Sequence, residues 1–210
     1  MVTEAMPGDA VEDVRKHLTL AAEDLDGNRV AALVVEAAGR WGVAAVWERV
    51  CAPMLAALPG HSGVDVAVEH AFSEGIRSGL DALLREPGRT VPGGILLAAA
   101  EQELHCLGLH ALAAALREAN LGSVLLGAAL PWPALASAVR RSWPHTVVVW
   151  SQTPVTGRAY RMARFAREFP SVWVHSAGPG WVVPRAGHLT TLSDALATCR
   201  AAAGRRAGPT

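Results

Sequence analysis

Residues 146–151 read Thr-Val-Val-Val-Trp-Ser, and this stretch is the clearest β-strand in the sequence. Branched side chains favour an extended chain, and a short apolar run of this kind is typical of a strand buried on both faces. Weaker runs predict four more strands, at Ile95–Ala100, Ser123–Leu130, Ser171–His175 and Leu189–Thr190. Segments with helical periodicity lie between and after these strands, at Leu104–Ala119, Ala134–Arg141, Thr156–Glu168 and Ser193–Ala203.

Alternation of strands and helices at this spacing predicts a parallel sheet with helices on both faces. We therefore expect residues 93–203 to form a doubly wound, Rossmann-like (flavodoxin-like) domain with a five-stranded parallel sheet. Trp150 and Trp173 are in predicted strands and are interpreted as core residues, with an interface as the alternative. In such a fold ligands bind outside the carboxyl ends of the strands, so the candidate binding loops are those after Ala100, Gly127, Ser151 and His175.

The first part of the chain has a helical period throughout. Apolar residues recur every three to four positions between Val11 and Arg85, and turn signals divide this stretch into four helices. Short connections between four helices predict an antiparallel bundle, which we assign to residues 10–86. Pro53 lies inside the third predicted helix, Trp41–Leu58, and predicts a kink or a late start of this helix. The complete fold class is α + α/β, a four-helix bundle followed by the sheet domain.

Composition excludes several functional classes. The 210 residues carry 19 Lys and Arg against 19 Asp and Glu, so the chain lacks the basic surface that drives non-specific binding to nucleic acids. The sequence contains three widely spaced cysteines and no visible signal peptide, and we predict a cytoplasmic protein. The uncharged stretch Leu121–Val139 contains two prolines, which argues against a membrane span. We expect neither direct DNA binding nor membrane binding.

The loop after the first predicted strand of the sheet carries the most informative motif, Glu103-x-His105-x-x-Gly108. A carboxylate that accepts a hydrogen bond from one imidazole nitrogen fixes the tautomer and makes the other nitrogen more basic. This arrangement is usual around a metal-bound histidine. A glycine at position 108 leaves space for a bulky flat ligand at the start of the helix. Taken alone, the motif predicts either a metal ligand or an exposed histidine in a helix N-terminal turn.

This motif resembles the signature of the cobalamin-binding domain, and the resemblance covers roughly Gly94–Ala203. That family has an Asp-x-His-x-x-Gly motif, and here Glu103 replaces the aspartate. The resemblance implies that His105 is the metal ligand, as the lower axial ligand of cobalt. It also implies the base-off/His-on mode, in which the cofactor's own dimethylbenzimidazole is displaced into a deep slot.

Two later loops carry the rest of the resemblance. Ser151 follows the third strand, which implies that its side chain lines the slot. Gly178-Pro179-Gly180 follows the fourth strand, where the family has a Gly-Gly pair, and implies that the nucleotide tail lies against backbone at Gly178 and Gly180. The predicted cofactor is cobalamin, and its adenosyl, methyl and hydroxo forms stay open.

The helical half resembles the four-helix cap of CarH-type photoreceptor regulators, through Trp41-Gly42, Cys51–Leu55 and Val66–His70. The resemblance implies that Glu69, His70 and His61 lie on the upper side of the cofactor, while a buried polar pair in a helix is the alternative for Glu69 and His70. The family has a tryptophan before this pair that shields the adenosyl group. No tryptophan occurs in Leu58–Val68, so we expect little preference for adenosylcobalamin.

Three functional classes follow from these features, and we predict that the chain is not an enzyme. The first is a cobalamin-binding sensor or regulator that acts through protein contacts, with a second copy or a partner regulator. The second is a corrinoid carrier subunit of a methyltransferase system. The third is a degenerate domain that binds another ligand. Candidate docking surfaces are the outer face of the bundle and a ridge of arginines, at Arg158, Arg161, Arg164 and Arg167.

Overall fold

The computed structural model describes residues 6–58, 63–85, 91–181 and 187–204. The chain forms two compact units, Met1–Pro87 and Gly88–Thr210. The first unit is helical, and the second combines a sheet with helices. No helix among the described residues is long and apolar enough to cross a membrane.

The helical unit is built from three long helices and one irregular helical segment, in agreement with the predicted four-helix bundle. The long helices are α1 (Gly8–Glu23), α2 (Gly27–Trp41) and α5 (Gly63–Arg85). The irregular segment consists of α3 (Val43–Val46), a π-helical turn (Trp47–Cys51) and α4 (Ala52–Ala57). Glycines let two of these helices approach closely, because a Cβ on Gly75 of α5 would lie 2.6 Å from the Val30 side chain of α2.

The irregularity predicted at Pro53 is present, because a π-helical turn, Trp47–Cys51, precedes it and α4 begins at Ala52, with Pro53 in its first turn. Proline has no backbone N–H to donate to the carbonyl four residues earlier, at Arg49. In this structure the guanidinium of Arg15, on α1, donates to that carbonyl at 2.6 Å. The bond lost to proline is therefore replaced by a contact between two helical segments, and this fixes the irregular segment against α1.

The second unit contains a five-stranded parallel sheet in the order β2-β1-β3-β4-β5, which confirms the predicted fold class. Its strands are β1 (Val91–Ala99), β2 (Leu121–Leu125), β3 (Thr146–Trp150), β4 (Trp173–Ala177) and β5 (His188–Leu189). Its helices are α6 (Leu107–Glu118), α7 (Trp132–Ser142), α8 (Ala159–Glu168) and α9 (Leu192–Gly204).

The two faces of β3 are covered by different helices. Val147 and Val149 belong to a buried cluster that includes Trp132 of α7 and Phe165 of α8. Side chains alternate between the faces of a strand, so Trp150 points to the opposite face. The interpretation of Trp173 as a core residue is wrong, because this side chain is 58% exposed at the start of β4.

Three element ends differ from the predictions in ways that matter for the site. Strand β2 ends at Leu125 rather than Leu130, because Gly127 adopts a positive φ of 80° and turns the chain. Helix α6 begins at Leu107 rather than Leu104, and α8 begins at Ala159 rather than Thr156. Residues that the periodicity assigned to the first turns of these helices are therefore in loops.

Candidate functional site

The sheet order places the candidate residues at a topological switch point. Strands β1 and β3 are neighbours, and their connections run to opposite sides of the sheet, to β2 and to β4. In doubly wound sheets this reversal leaves a crevice beyond the carboxyl ends of the two strands. The loop that carries Glu103 and His105 follows β1, and the loop that begins at Ser151 follows β3.

Glu103 is a buried carboxylate in the loop after β1, with 1% of its surface exposed. The preceding residue, Gln102, has a φ of 69°, a left-handed conformation that few non-glycine residues adopt. One carboxylate oxygen, Oε1, accepts a hydrogen bond from the backbone N–H of His105 at 2.9 Å. The same oxygen lies 2.7 Å from Nδ1 of the His105 ring. The sequence-predicted pairing of these two side chains is therefore present.

The other carboxylate oxygen of Glu103 holds the loop after β3. Oε2 accepts hydrogen bonds from the backbone N–H groups of Gln152 at 2.8 Å and Thr153 at 3.3 Å. It also accepts a hydrogen bond from the hydroxyl of Thr156. One side chain thus ties both loops of the switch point together.

These hydrogen bonds decide the charge of Glu103. Burial alone raises the pKa of a carboxyl, but the donors from Thr156, His105 and Gln152 outweigh it and lower the pKa of Glu103 to about 2. The group is therefore an anion at neutral pH. An anionic acceptor beside Nδ1 favours the tautomer with the proton on Nδ1, which directs the lone pair of Nε2 away from Glu103.

The His105 side chain is 68% exposed, in contrast to its buried partner. Two large apolar side chains on these loops are also exposed. They are Leu104, beside His105, and Val155, in the loop tied to Glu103, and each is 72% exposed. An oriented imidazole flanked by apolar surface suits a ligand that combines a metal ion with a flat apolar body.

Ser151 is completely buried, and its hydroxyl is used within the loop. Its Oγ lies 3.0 Å from the carbonyl of Thr153 and 2.7 Å from Oγ1 of Thr156. Because Thr156 donates to Glu103, its oxygen accepts from Ser151. The sequence analysis missed Thr156, which it assigned to a helix. The signal that could have found it is the series of three hydroxyl residues, Ser151, Thr153 and Thr156, directly after the strand.

The three predicted glycines lie where backbone and side chains pack closely. A Cβ on Gly108 would lie 2.6 Å from the Trp150 ring, and one on Gly178 would lie 3.0 Å from the same ring. A Cβ on Gly180 would lie 2.4 Å from Oγ of Ser151. Gly178 also has a φ of 91°, which favours glycine.

The remaining predicted residues are in the helical unit. Glu69 and His70 both lie on α5, where Glu69 is half-buried and His70 is exposed, so the alternative of a buried polar pair is wrong. His61 lies outside the described residues. Within the part of the chain that the structure describes, no three His, Cys, Asp or Glu side chains are grouped so that they could hold a metal ion.

The predicted arginine ridge is not a uniform surface. Arg158 donates to the side-chain oxygen of Gln102, and Arg161 donates to the Tyr160 hydroxyl. A cleft of about 350 Å³ lies between α7 and α8, and its lining includes Arg161, Arg164 and an ion pair between Arg140 and Glu168. This cleft is on the Val149 face of the sheet, away from Trp150.

No protein-family model matches this sequence, and no curated protein matches it. Among solved structures, the chain is similar to a monomethylamine corrinoid protein from Methanosarcina barkeri, with a TM-score of 0.65 at 14% identity, over 89% of this chain and 97% of that one. It is also similar to the methanol:cobalamin methyltransferase complex of the same organism, with a TM-score of 0.47 at 16% identity, over 98% of this chain and 83% of that one. A cobalamin-binding protein from Desulfitobacterium hafniense gives a TM-score of 0.46 at 18% identity, over 91% of this chain and 99% of that one. At these identities the likeness shows the fold alone.

Proposed function

We propose that this chain binds a cobalamin-type corrinoid, with Nε2 of His105 as the lower ligand of cobalt. The observation that carries the proposal is an exposed imidazole at the switch point of the sheet, held through Nδ1 by a buried carboxylate at 2.7 Å. The corrinoid protein with a TM-score of 0.65 supports the cofactor class.

The residues around His105 fit such a cofactor on the cobalt side. A bound corrinoid would supply a cobalt centre that can exchange a ligand or respond to light. The protein's own contribution is to orient the ligand, because Glu103 holds the ring and stays ionised. Leu104 and Val155 offer exposed apolar surface for the macrocycle. On the slot side the fit is different, since Trp150 lies between Gly108 and Gly178, and the resemblance assigns Gly178 to the nucleotide tail.

The cofactor-binding proposal is tested by the absorption spectrum of the protein mixed with hydroxocobalamin or methylcobalamin. Ligation by a protein imidazole changes the visible bands, and His105→Ala should abolish that change and weaken binding about a hundredfold, a loss of about 3 kcal/mol. His110→Ala, on α6 close by in sequence, is the matched control and should bind as the wild type does. An unchanged spectrum and affinity in His105→Ala would remove the basis of the proposal.

Two roles are compatible with this site. The cap resemblance supports a sensor that acts through contacts with a second copy or a partner regulator. The likeness to the monomethylamine corrinoid protein, at a TM-score of 0.65, supports a corrinoid carrier. Both roles use protein contacts and assign no reaction to this chain alone.

The two roles predict different responses to the cofactor. For a sensor, light scattering on the free protein, the dark complex and the illuminated complex should give different masses, or a pull-down should retain different partners. For a carrier, the mass should stay the same in all three states, and a methyltransferase from the same cell should demethylate the bound methylcobalamin. Calorimetry with adenosyl-, methyl- and hydroxocobalamin tests the expected lack of adenosyl preference.

A further inference from the structure

The last side chain of β3, Trp150, fills the space between the start of α6 and the loop after β4. A Cβ on Gly108 would lie 2.6, 2.8 and 2.9 Å from Cη2, Cζ3 and Cζ2 of the indole. A Cβ on Gly178 would lie 3.0 Å from Cδ2 and Cε2, the atoms shared by the two fused rings. Both glycines therefore contact the indole so closely that neither position has room for a side chain.

The resemblance assigns the displaced base of cobalamin to a slot lined by Ser151, the residue that follows Trp150 in the chain. Gly108 and Gly178 were predicted to leave room for a flat ligand and for its nucleotide tail. Indole and benzimidazole are both a benzene ring fused to a small nitrogen ring, so they have nearly the same shape. In this chain the space that the glycines leave is taken by a side chain of the protein itself.

The described residues of the loops beside the indole are closely packed. The Ser151 hydroxyl is buried, with Oγ1 of Thr156 at 2.7 Å and the Thr153 carbonyl oxygen at 3.0 Å, so it does not line an open slot. A Cβ on Gly180 would lie 2.4 Å from the carbonyl oxygen of Thr153, and one on Gly157 would lie 2.0 Å from the carbonyl oxygen of Gly180. The loops after β3 and β4 are thus in backbone contact.

Packing rather than polar bonding holds the ring in place. Nε1 of Trp150 is buried and has no hydrogen-bond partner among the described residues. An unpaired buried N–H is unfavourable, so a tryptophan at this position is explained by the fit of its ring and not by its donor.

We propose that Trp150 occupies the place of the base, so that this protein selects a corrinoid that lacks the nucleotide arm or keeps the arm outside the slot. The inference rests on the proposed function, since it concerns the other side of the same ligand. It names the substrate class more narrowly: a cobinamide-type corrinoid rather than base-off cobalamin with a buried tail.

The test compares aquocobinamide with hydroxocobalamin by calorimetry on the whole chain. The wild type should bind cobinamide at least about tenfold more tightly. Part of this preference is the cost of detaching the base from cobalt in free cobalamin. The deciding measurement is therefore how the ratio of the two dissociation constants, for cobalamin and for cobinamide, changes in Trp150→Val. Valine suits the strand, and removing the ring should strengthen cobalamin binding about tenfold and leave cobinamide binding unchanged. Trp173→Val, at an exposed position of β4, is the matched control and should leave the ratio unchanged.

Trp150→Phe gives the same comparison with a smaller cavity, in case the valine variant does not fold. It should reduce the preference for cobinamide over cobalamin by a smaller factor than Trp150→Val does. A ratio that stays the same in both variants overturns the role of Trp150 and leaves corrinoid binding through His105 intact. Cobalamin bound more tightly than cobinamide by the wild type overturns it as well. Failure of both corrinoids to bind would instead overturn the proposed function and, with it, this inference.

Discussion

The two sides of the switch point are built in opposite ways. After β1, the His105 side chain is exposed to solvent, is oriented by a buried carboxylate and does not pack in the core. At the ends of β3 and β4, glycines, a buried hydroxyl and the Trp150 ring are packed against one another. The exposed imidazole after β1 is accessible to a ligand. The glycines and the hydroxyl after β3 and β4 are residue types common in ligand sites, but here they pack against the Trp150 ring and one another. Small residues at a strand end therefore indicate close packing, and only the structure shows what is packed there.

Glu103 joins the two sides, and its replacement should have the largest effect on stability. In Glu103→Ala, the backbone N–H groups of His105, Gln152 and Thr153 lose the carboxylate that accepts from them. The Thr156 hydroxyl loses its hydrogen bond to Glu103 and keeps only the Thr153 carbonyl, at 3.1 Å, as an acceptor. Leaving buried donors unpaired and opening a cavity should lower the free energy of unfolding by about 3–5 kcal/mol.

Urea unfolding at pH 7 measures this loss. Glu101→Ala, in the same loop, is the control and should change the free energy of unfolding by about 0.5 kcal/mol or less. Equal losses in the two variants would mean that Glu103 does not hold the two loops together.

The same carboxylate predicts a dependence of stability on pH. Its pKa is lowered from 4.5 to about 2 by its hydrogen bonds in the folded protein. A group with a lowered folded pKa stabilises the protein above its unfolded pKa, and this contribution disappears as the pH falls through the folded value. The wild type should therefore lose about 3 kcal/mol from this group between about pH 4.5 and pH 2.

Glu103→Gln has no group to titrate there. The difference in unfolding free energy between the wild type and this variant should shrink steadily below about pH 4.5. A difference that is constant down to pH 2 would contradict the ionised, hydrogen-bonded state of Glu103.

Much of the fold could be predicted because local patterns decide it. The branched run at 146–151 predicted β3 within one residue, and Pro53 predicted the irregular helix. The starts of α6 and α8 were predicted too early, because a helical period continues into loops whose side chains are held by tertiary contacts. Thr156 is the clearest case, since its bond to Glu103 keeps it outside α8.

The site could be predicted only in part, for a related reason. The pairing of Glu103 with His105 is local in sequence, so the motif was enough to predict it. The place of Trp150 depends on two residues distant in sequence, Gly108 and Gly178, meeting at one ring. Strand alternation predicts the face of the sheet to which Trp150 points, but it does not predict which loops meet there.

Gly108→Ala should have an intermediate effect that depends on Trp150. The added Cβ would lie 2.6 Å from the indole, so the ring or the helix must shift, at a cost of about 2 kcal/mol in the free energy of unfolding. In a Trp150→Val background that clash is gone. There the alanine should be neutral or stabilising by up to about 1 kcal/mol, because alanine is the better helix former.

The double-mutant cycle therefore has an expected coupling of about 2 kcal/mol, measured by urea unfolding without any ligand. Gly39→Ala, in α2, is the control, because an added Cβ there meets nothing within 4 Å. Additive effects of Gly108→Ala and Trp150→Val would show that the ring does not lie against α6.

The smallest effect on stability is expected for His105→Ala. The ring is 68% exposed, and the variant keeps the backbone N–H that donates to Glu103, so the main loss is one partly exposed hydrogen bond. We expect a change of about 0.5 kcal/mol in the free energy of unfolding, by the same urea measurement. A loss above about 2 kcal/mol would instead make the imidazole part of the folded framework of this loop. A small loss of stability together with a large loss of corrinoid binding is the pattern expected of a side chain kept for a ligand. Trp150→Val should show the reverse, a large loss of stability and stronger binding of cobalamin. The ring packs against the neighbouring glycines, and its removal opens the place that we assign to the base.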